Sequence, residues 1–383
     1  MPSDLDFMRL ALGLARRGFG RTSPNPMVGA VLVRDGVIIG QGWHRRVGEA
    51  HAEIEALRDA QHRGHDARGV RGATLYVTLE PCSTHGRTPP CTEAIIAAGI
   101  RHVVAATPDP NPAHSGRGFA ILRRAGVEVS VGLLAKEAAE MNEAFEHWIV
   151  HRTPLVTVKA AMSLDGKIAT VSGESRWITG EKSRQLGMRL RAGADAILVG
   201  VNTVLADDPG LTVRLTSFKK KRWQRVILDP RARTPLTAQV VSDEFADSTI
   251  IVVTKAATAR RAAALGRRVR LLSAPMRADG IDLRWLLRKL GQDEVTSLLV
   301  EGGGETNAAF LAAGLVHRVA FFYAPLVLGG RSAPKGVAGE GFRSLGAAPV
   351  LREARWRRIG ADLYLSARVP EPERKDKYVY RNH

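Results

Sequence analysis

The sequence predicts two α/β domains meeting near residue 150, and three observations carry that reading. The chain has 383 residues, more than one ordinary domain of roughly 100 to 200 residues needs. Short apolar runs alternate with amphipathic stretches throughout, the pattern of sheets with helices packed on them. Thr153-Pro154 breaks the chain after a long amphipathic stretch, and a fresh apolar run opens at Leu155.

In the first half, Met27 to Val33 and Val37 to Gly42 read as strands, followed by a helix over Ala52 to Gln61 and a strand over Ala73 to Leu79. A helix over Thr92 to Ala98, a strand over His102 to Ala106 and a helix over Gly118 to Ala125 continue the alternation. Leu134, Ala138, Met141, Phe145 and Trp148 recur at helical spacing, so one long helix over Lys136 to Trp148 should close the domain. After the breaker, Leu155 to Ala160, Ala196 to Val199, Arg225 to Leu228, Thr249 to Val253, Thr296 to Glu301 and Arg318 to Tyr323 read as strands with helices between them. Pro370 to His383 is polar and aperiodic and is expected to be a mobile tail. The domains are therefore 1–150 and 151–369, with a tail at 370–383.

Composition narrows the class. With 45% hydrophobic and 25% charged residues, a packed core is expected and a disordered or fibrous chain is excluded. The N-terminal MPSDLDFMRL puts acids before any apolar run, and no stretch approaches about 18 uninterrupted apolar residues, so a cytoplasmic protein with no membrane partner is expected. Two cysteines, Cys82 and Cys91, make no disulfide framework in a chain of this length and point instead to metal binding or catalysis.

The net charge of +18 raises nucleic acid as a partner. Residues 1–150 hold 17 basic and 16 acidic residues, however, so nearly all of the excess lies in the second half. There it is scattered over Lys219 to Arg222, Arg260 to Arg270, Arg284 to Lys289 and Arg352 to Arg358, without the interleaved aromatics of a single-strand binding platform. A solvated surface is the better reading.

The chemistry is concentrated in His51-Ala-Glu53, at a predicted helix start, and in Glu80-Pro-Cys82 with Cys91 nine residues later. One imidazole and two thiolates suit a tetrahedral zinc whose fourth position stays open for water. Glu53 then reads as the group that moves protons between that water and a substrate. The alternative is a solvated helix end with two buried cysteines; the intervening segment, rich in Gly and Pro, is unlike a core and favours the metal. The H-x-E and P-C pairing is the general mark of zinc nucleobase deaminases.

With these residues in place, the chain resembles the bifunctional deaminase-reductases of riboflavin biosynthesis. The likeness rests on Thr22-Ser-Pro-Asn-Pro-Met-Val-Gly29, His51-Ala-Glu53 and Thr78-Leu-Glu-Pro-Cys-Ser-Thr-His-Gly-Arg-Thr-Pro-Pro-Cys91 in the first half. Lys159-Ala-Ala-Met-Ser-Leu-Asp-Gly166, Ser172-Gly-Glu-Ser-Arg-Trp-Ile-Thr179, Val204-Leu-Ala-Asp-Asp-Pro209 and Val300-Glu-Gly-Gly-Gly304 carry it through the second. It departs from the family at Thr84, where His is usual and His85 follows one place later, at Ala50 in place of proline and at Ala30 in place of cysteine.

The resemblance implies a cytidine-deaminase-like three-layer domain that uses Zn2+ to remove the 2-amino group of a diaminopyrimidinone ribosylamine 5-phosphate. It implies a dihydrofolate-reductase-like domain that uses NADPH to reduce the ribosyl group to ribityl. Ala161, Trp177, Thr203, Asp207 and the turn containing Gly303, Gly304, Glu305 and Thr306 are then expected to face NADPH. Ser175, Arg191, Arg214 and Glu301 are expected to face the substrate, with Lys159 as a site residue or a structural ion pair, and Asp207 at the junction of nicotinamide and sugar. Ala206 to Pro209 reads as a strand-to-loop segment. In the deaminase, Asn25 between two prolines is expected to read the pyrimidine edge, with His44 and Arg87 near the ribose or phosphate. The partner is thus a small phosphorylated pyrimidine, and a homo-oligomer is expected. The competing readings are a tRNA-acting zinc deaminase with a basic C-terminal module, and a deaminase whose second domain only oligomerises.

Overall fold

A computed structural model describes residues 2–85, 89–218, 222–277 and 280–370. The expected tail beyond residue 370 and the candidate Arg87 lie outside the described residues. Two compact units emerge, one of Met1–Pro154 with Leu290–Thr296, the other of Leu155–Lys289 with Ser297 onward.

The first unit is built on strands β1 (Gly29–Arg34), β2 (Val37–Trp43), β3 (Thr74–Val77), β4 (His102–Ala105) and β5 (Glu128–Val131), in the order β2-β1-β3-β4-β5. Asp35 and Gly36 both take positive φ, which closes β1 and β2 into a two-residue hairpin. The remaining neighbours of β3 and β4 are parallel, so their C-terminal ends open on one side of the sheet. The helices are α1 (Asp4–Ala15), α2 (Ala52–His62), α3 (Ala67–Val70), α4 (Cys91–Ala97), α5 (Arg117–Arg124), α6 (Ala135–Met141) and α7 (Glu143–His151).

Alternation along the strands sends Ala30, Leu32, Leu75 and Val77 to one core, with Ala52, Ala56, Ala60, Ile95 and Leu122 of α2, α4 and α5. Val31, Val33, Tyr76 and Val104 face the opposite core, with Phe7, Met8 and Leu12 of α1 and Ala138 of α6. The result is three layers. A Cβ on Gly40 would lie 2.3 Å from the Ala56 carbonyl oxygen, and one on Gly42 would lie 2.4 Å from that of Ala52. These glycines therefore let α2, which carries Glu53, seat directly on β2.

The single helix expected over Lys136 to Trp148 is two. Asn142 takes φ −108° and ψ 16° between α6 and α7, and its buried amide pairs with both backbone groups of Met27, at 2.8 and 2.9 Å. Apolar periodicity runs through this break, whereas the polar residue that makes it satisfies a distant strand entrance.

The second unit holds β6 (Leu155–Ser163), β7 (Ala196–Gly200), β8 (Gln224–Leu228), β9 (Thr249–Val253), β10 (Arg270–Ser273), the short hairpin β11 (Met276–Arg277) and β12 (Gly280–Ile281), β13 (Ser297–Val300), β14 (Arg318–Ala324), β15 (Arg352–Ile359) and β16 (Asp362–Arg368). Its large sheet runs β10-β9-β8-β7-β13-β6-β14-β16-β15. All pairings from β10 to β14 are parallel, and the last two are antiparallel. Helices α8 (Glu181–Gly193), α9 (Val201–Asp207), α10 (Gln239–Ser242), α11 (Ala259–Gly266), α12 (Leu283–Gln292) and α13 (Gly304–Ala312) connect the strands. Parallel strands place their C-terminal ends along one edge, where ligands of α/β folds bind.

Two local expectations change here. Ala206 to Pro209, expected as a strand-to-loop segment, is instead the end of α9, with Asp208 left-handed at its C-cap. Arg352 to Arg358, expected as dispersed surface charge, is the edge strand β15, whose solvated side chains hide the strand period.

Candidate active sites

The candidate zinc ligands come from three element ends. His51 is the N-cap of α2, Cys82 follows β3, and Cys91 is the first residue of α4. Their ligand atoms all lie within 4.8 Å of one another, with His51 Nδ1 3.3 Å from Cys91 Sγ and 3.4 Å from Cys82 Sγ. The Cys91 backbone N–H donates to Cys82 Sγ at 3.2 Å. Hydrogen bonds from Cys91 and His51 hold the Cys82 thiol down at about 4, whereas the bond to Cys82, burial and Glu53 push Cys91 up. A site that stabilises thiolate beside an imidazole is the donor set zinc takes, so these residues fit the metal.

Glu53 lies in the first turn of α2 and is only 3% exposed. Burial, aided by the charge of Cys82, raises its carboxyl to about 7, near neutrality, as a general acid and base requires. His44 and Asn25 stand on the same side. The His44 ring packs edge-on against His51, with centroids 5.4 Å apart. Burial lowers the pKa of His44, so the neutral ring donates from Nδ1 to the Ala50 carbonyl at 3.1 Å and accepts at Nε2 from the Asn25 amide at 3.2 Å. The Asn25 side chain thereby keeps its carbonyl oxygen available for a donor. His85, displaced by one place from the family position, pairs with Glu93 of α4 at 3.4 Å on the exposed surface.

The sequence reading quoted Glu80, two residues before Cys82, without giving it a role. Its buried carboxylate accepts backbone N–H groups from Asp109 at 2.9 Å, Gly116 at 2.9 Å and Gly118 at 2.8 Å, which ties the loop after β4 to the metal-bearing segment. A carboxylate at the end of a buried strand was the available signal.

In the second unit the expected residues divide between two cavities. One, of about 580 Å³, is lined by Thr203, Gly303, Gly304, Glu305 and Thr306. The other, of about 350 Å³, is lined by Lys159, Ala161, Trp177, Arg191, Arg214 and Glu301. The end of β13 serves both, because Glu301 lines the smaller and Gly303, two residues on, lines the larger. The glycines differ in purpose. A Cβ on Gly302 would lie 2.5 Å from Thr306, and one on Gly304 would lie 2.2 Å from the Lys335 carbonyl oxygen, so these two serve close packing. A Cβ on Gly303 would meet only Thr203 Oγ1, at 3.9 Å. Gly303 is also the N-cap of α13 and supplies no side-chain cap. Open space against uncapped N–H groups fits a dinucleotide phosphate.

Arg191 clasps Glu301 with two hydrogen bonds, Nε to Oε1 at 2.8 Å and Nη2 to Oε2 at 2.7 Å, and donates Nη1 to the Thr212 carbonyl at 3.0 Å. Lys159 Nζ stands 4.0 Å from Glu301. Burial alone would raise the Glu301 carboxyl, but Arg191 and Lys159 outweigh it and hold it at about 2. Lys159 is thus both cavity residue and ion-pair partner. Ser175 and Asp207 meet each other at 3.4 Å, on the exposed end of α9, outside the linings of both cavities. Asp208 makes the turn contacts, accepting the Gln239 backbone N–H at 2.8 Å, which leaves the Asp207 carboxylate out of that role. Arg184, unremarked in the sequence, lines the smaller cavity with its guanidinium 4.6 Å over Trp177. Its place in the first turns of α8, after Gly180, was the available signal.

A model of the cytidine and deoxycytidylate deaminase zinc-binding region matches residues 1–107, and a model of the RibD C-terminal domain matches residues 154–365. The riboflavin biosynthesis protein RibD of Aquifex aeolicus is 44% identical over 363 residues, spanning 94% of this chain and 97% of that protein. The RibD structure of Acinetobacter baumannii superposes with a TM-score of 0.85 at 37% identity, covering 96% of this chain and 99% of that one. A diaminohydroxyphosphoribosylaminopyrimidine deaminase/5-amino-6-(5-phosphoribosylamino)uracil reductase from Thermotoga maritima has a TM-score of 0.82 at 35% identity, covering 96% and 98%. Since both halves match, the tRNA-acting alternative is not favoured. The chain belongs to the RibD family of riboflavin-biosynthesis deaminase-reductases.

Proposed function

We propose a residue-level division of labour for this bifunctional enzyme, in which the first unit deaminates the diaminopyrimidinone ribosylamine 5-phosphate and the second reduces the deaminated product. One observation carries it: three zinc ligands within 4.8 Å of one another, beside a buried carboxyl raised to about 7. His51, Cys82 and Cys91 hold the zinc, which when bound supplies a nucleophilic water near neutral pH. Glu53 would take up a proton as water adds to the ring carbon and give it to the amino nitrogen as that C–N bond breaks and ammonia leaves. Asn25, oriented by His44, pairs its amide with the pyrimidine edge.

In the second unit, NADPH supplies the hydride. The turn at Gly303 and the start of α13 would hold its phosphates, and Ala161 and Trp177, which line the smaller cavity, would border the nicotinamide. Glu301, fixed by Arg191 and Lys159, orients the sugar hydroxyls, and Arg214 takes the 5-phosphate. Asp207, paired with Ser175 outside both cavities, is assigned to the opened C1 end of the sugar by the family likeness alone.

The partner is a small phosphorylated pyrimidine and not a nucleic acid, a reading supported by basic residues that line two cavities of small-molecule size. A cytoplasmic site of action accords with cysteines used as ligands. The exposed edge strand β15, with Trp356 58% exposed, supports a homo-oligomer. Ammonia release from the diamino compound, and NADPH oxidation dependent on the deaminated one, test the assignment together. Filter binding of tRNA across a salt series tests the exclusion, and light scattering tests the assembly.

A further inference from the structure

The larger cavity is also lined by three arginines that the account above leaves without a task, Arg233, Arg277 and Arg284. Arg277 is committed to a carboxylate, with Nε 3.0 Å from Asp282. Arg284 donates to the Ala313 carbonyl at 2.5 Å, just past the C-terminal end of α13. At 1.5 Å per residue that is about 13 Å along the helix from the uncapped N-terminus at Gly303. Arg233 differs from both. Its Nη2 donates at 2.7 Å to the side-chain oxygen of Asn202, a neutral partner, and Asn202 immediately precedes Thr203, the residue that faces Gly303. The contact steers the guanidinium to the cavity without neutralising it.

Strand order says which part of a dinucleotide comes there. The smaller cavity lies at β6 and β14, through Ala161 and Phe322, so the nicotinamide end points that way. The pyrophosphate sits at the end of β13. The adenosine half must then run in the other direction, across β7 to β8, two strand spacings or about 10 Å away. Leu228 ends β8, and the turn that follows it delivers Pro230 and Arg233 to the cavity.

We propose that Arg233, steered by Asn202, binds the adenosine 2′-phosphate and so makes this chain select NADPH over NADH. A guanidinium fork matches two oxygens of a dianionic phosphate, whereas a 2′-hydroxyl offers neither the charge nor the second acceptor. The inference rests on the reading of the second unit as an NADPH-dependent reductase.

The test is binding rather than turnover. The zinc-loaded full chain is titrated with NADPH and NADH by nicotinamide fluorescence, and with 2′,5′-ADP and 5′-AMP by calorimetry. Arg233→Ala should raise the Kd for NADPH and 2′,5′-ADP by about 10- to 100-fold, the range for losing a charge-assisted hydrogen bond, and move those for NADH and 5′-AMP by less than about 3-fold. Asn202→Asp, which leaves Arg233 in place but neutralises it and repels phosphate, should abolish the preference independently. Equal weakening of both nucleotides in either variant, or loss of preference in Arg284→Ala with none in Arg233→Ala, would overturn the proposal. Failure of the unmutated chain to bind either nucleotide would instead remove the reductase reading beneath it.

Discussion

The zinc site and the reductase cavities solve the same problem, holding charge in a buried place, with different materials. In the first unit the ligands His51 and Cys91 are 40 residues apart, and both stand at helix starts. The buried carboxyl there, Glu53, keeps its proton up to about 7 in the zinc-free chain, because no protein cation outweighs its burial. In the second unit Arg191 reaches Glu301 across 110 residues, and the carboxyl is held at about 2. A proton-transferring group is left short of positive charge, whereas an orienting group is saturated with it. The distinction between moving a proton and fixing a position is visible in the partners each carboxylate has been given.

The largest effect expected from breaking this contrast is metal loss. Cys82→Ser should shed zinc and abolish ammonia release, with metal analysis as the check, while NADPH oxidation with the deaminated intermediate stays near normal. Retention of stoichiometric zinc would show that the ligand set is wrong. Glu53→Gln should keep the metal and slow deamination by about 10²- to 10⁴-fold, the usual worth of a positioned acid and base; a normal rate would remove Glu53 from the chemistry.

Next in size is the ion pair. Arg191→Met leaves Glu301 buried with only Lys159 nearby, and stripping one partner from a buried pair costs about 3–5 kcal/mol. Thermal unfolding should show it, and reductase KM should rise; an unchanged unfolding curve would mean the pair is not buried in solution.

The two carboxyls should also respond oppositely to pH. Glu301 is ionised in the fold down to about 2, below the ordinary value near 4.3, so its stabilisation holds above about pH 4.3 and is lost as pH falls from there toward 2. Glu53 in zinc-free protein holds its proton up to about 7, so the fold loses stability as pH rises from about 4 toward 7. Hydrogen exchange followed in each unit should show the two slopes with opposite sign, and parallel slopes would contradict the contrast. The smallest expected effect is that of Asp207→Asn, which should slow NADPH oxidation by about 10-fold with little change in NADPH affinity; unaltered turnover would return this exposed carboxylate to the surface.

The contrast also explains what the sequence discloses. His51, Glu53, Cys82 and Cys91 are legible because metal chemistry restricts residue type and their spacing is short. Arg191 and Arg214 stand among many arginines, and only the family likeness singles them out, since their partners are set by sheet order. The roles of Glu80 and Asn142 escaped notice because their work is done on backbone groups of remote segments, which leave no pattern in composition. Apart from β2, which ends the first sheet, the strands that were found are apolar and internal. Those that were not are the short hairpin β11–β12 and β5, β10, β15 and β16, which lie at or next to a sheet edge, and solvated arginines blur the two-residue period of β10 and β15.

The central claim is that each unit carries one chemistry with its own residues. Its most direct test supplies the full chain and its Cys82→Ser variant with the diamino substrate and NADPH, then with the deaminated intermediate and NADPH, following ammonia and nicotinamide absorbance together. The account predicts ammonia release before NADPH oxidation in the unaltered chain, and in the variant no ammonia but full oxidation once the intermediate is given. A folded variant that fails to oxidise NADPH with the intermediate, or an unaltered chain that oxidises it before releasing ammonia, would contradict the account.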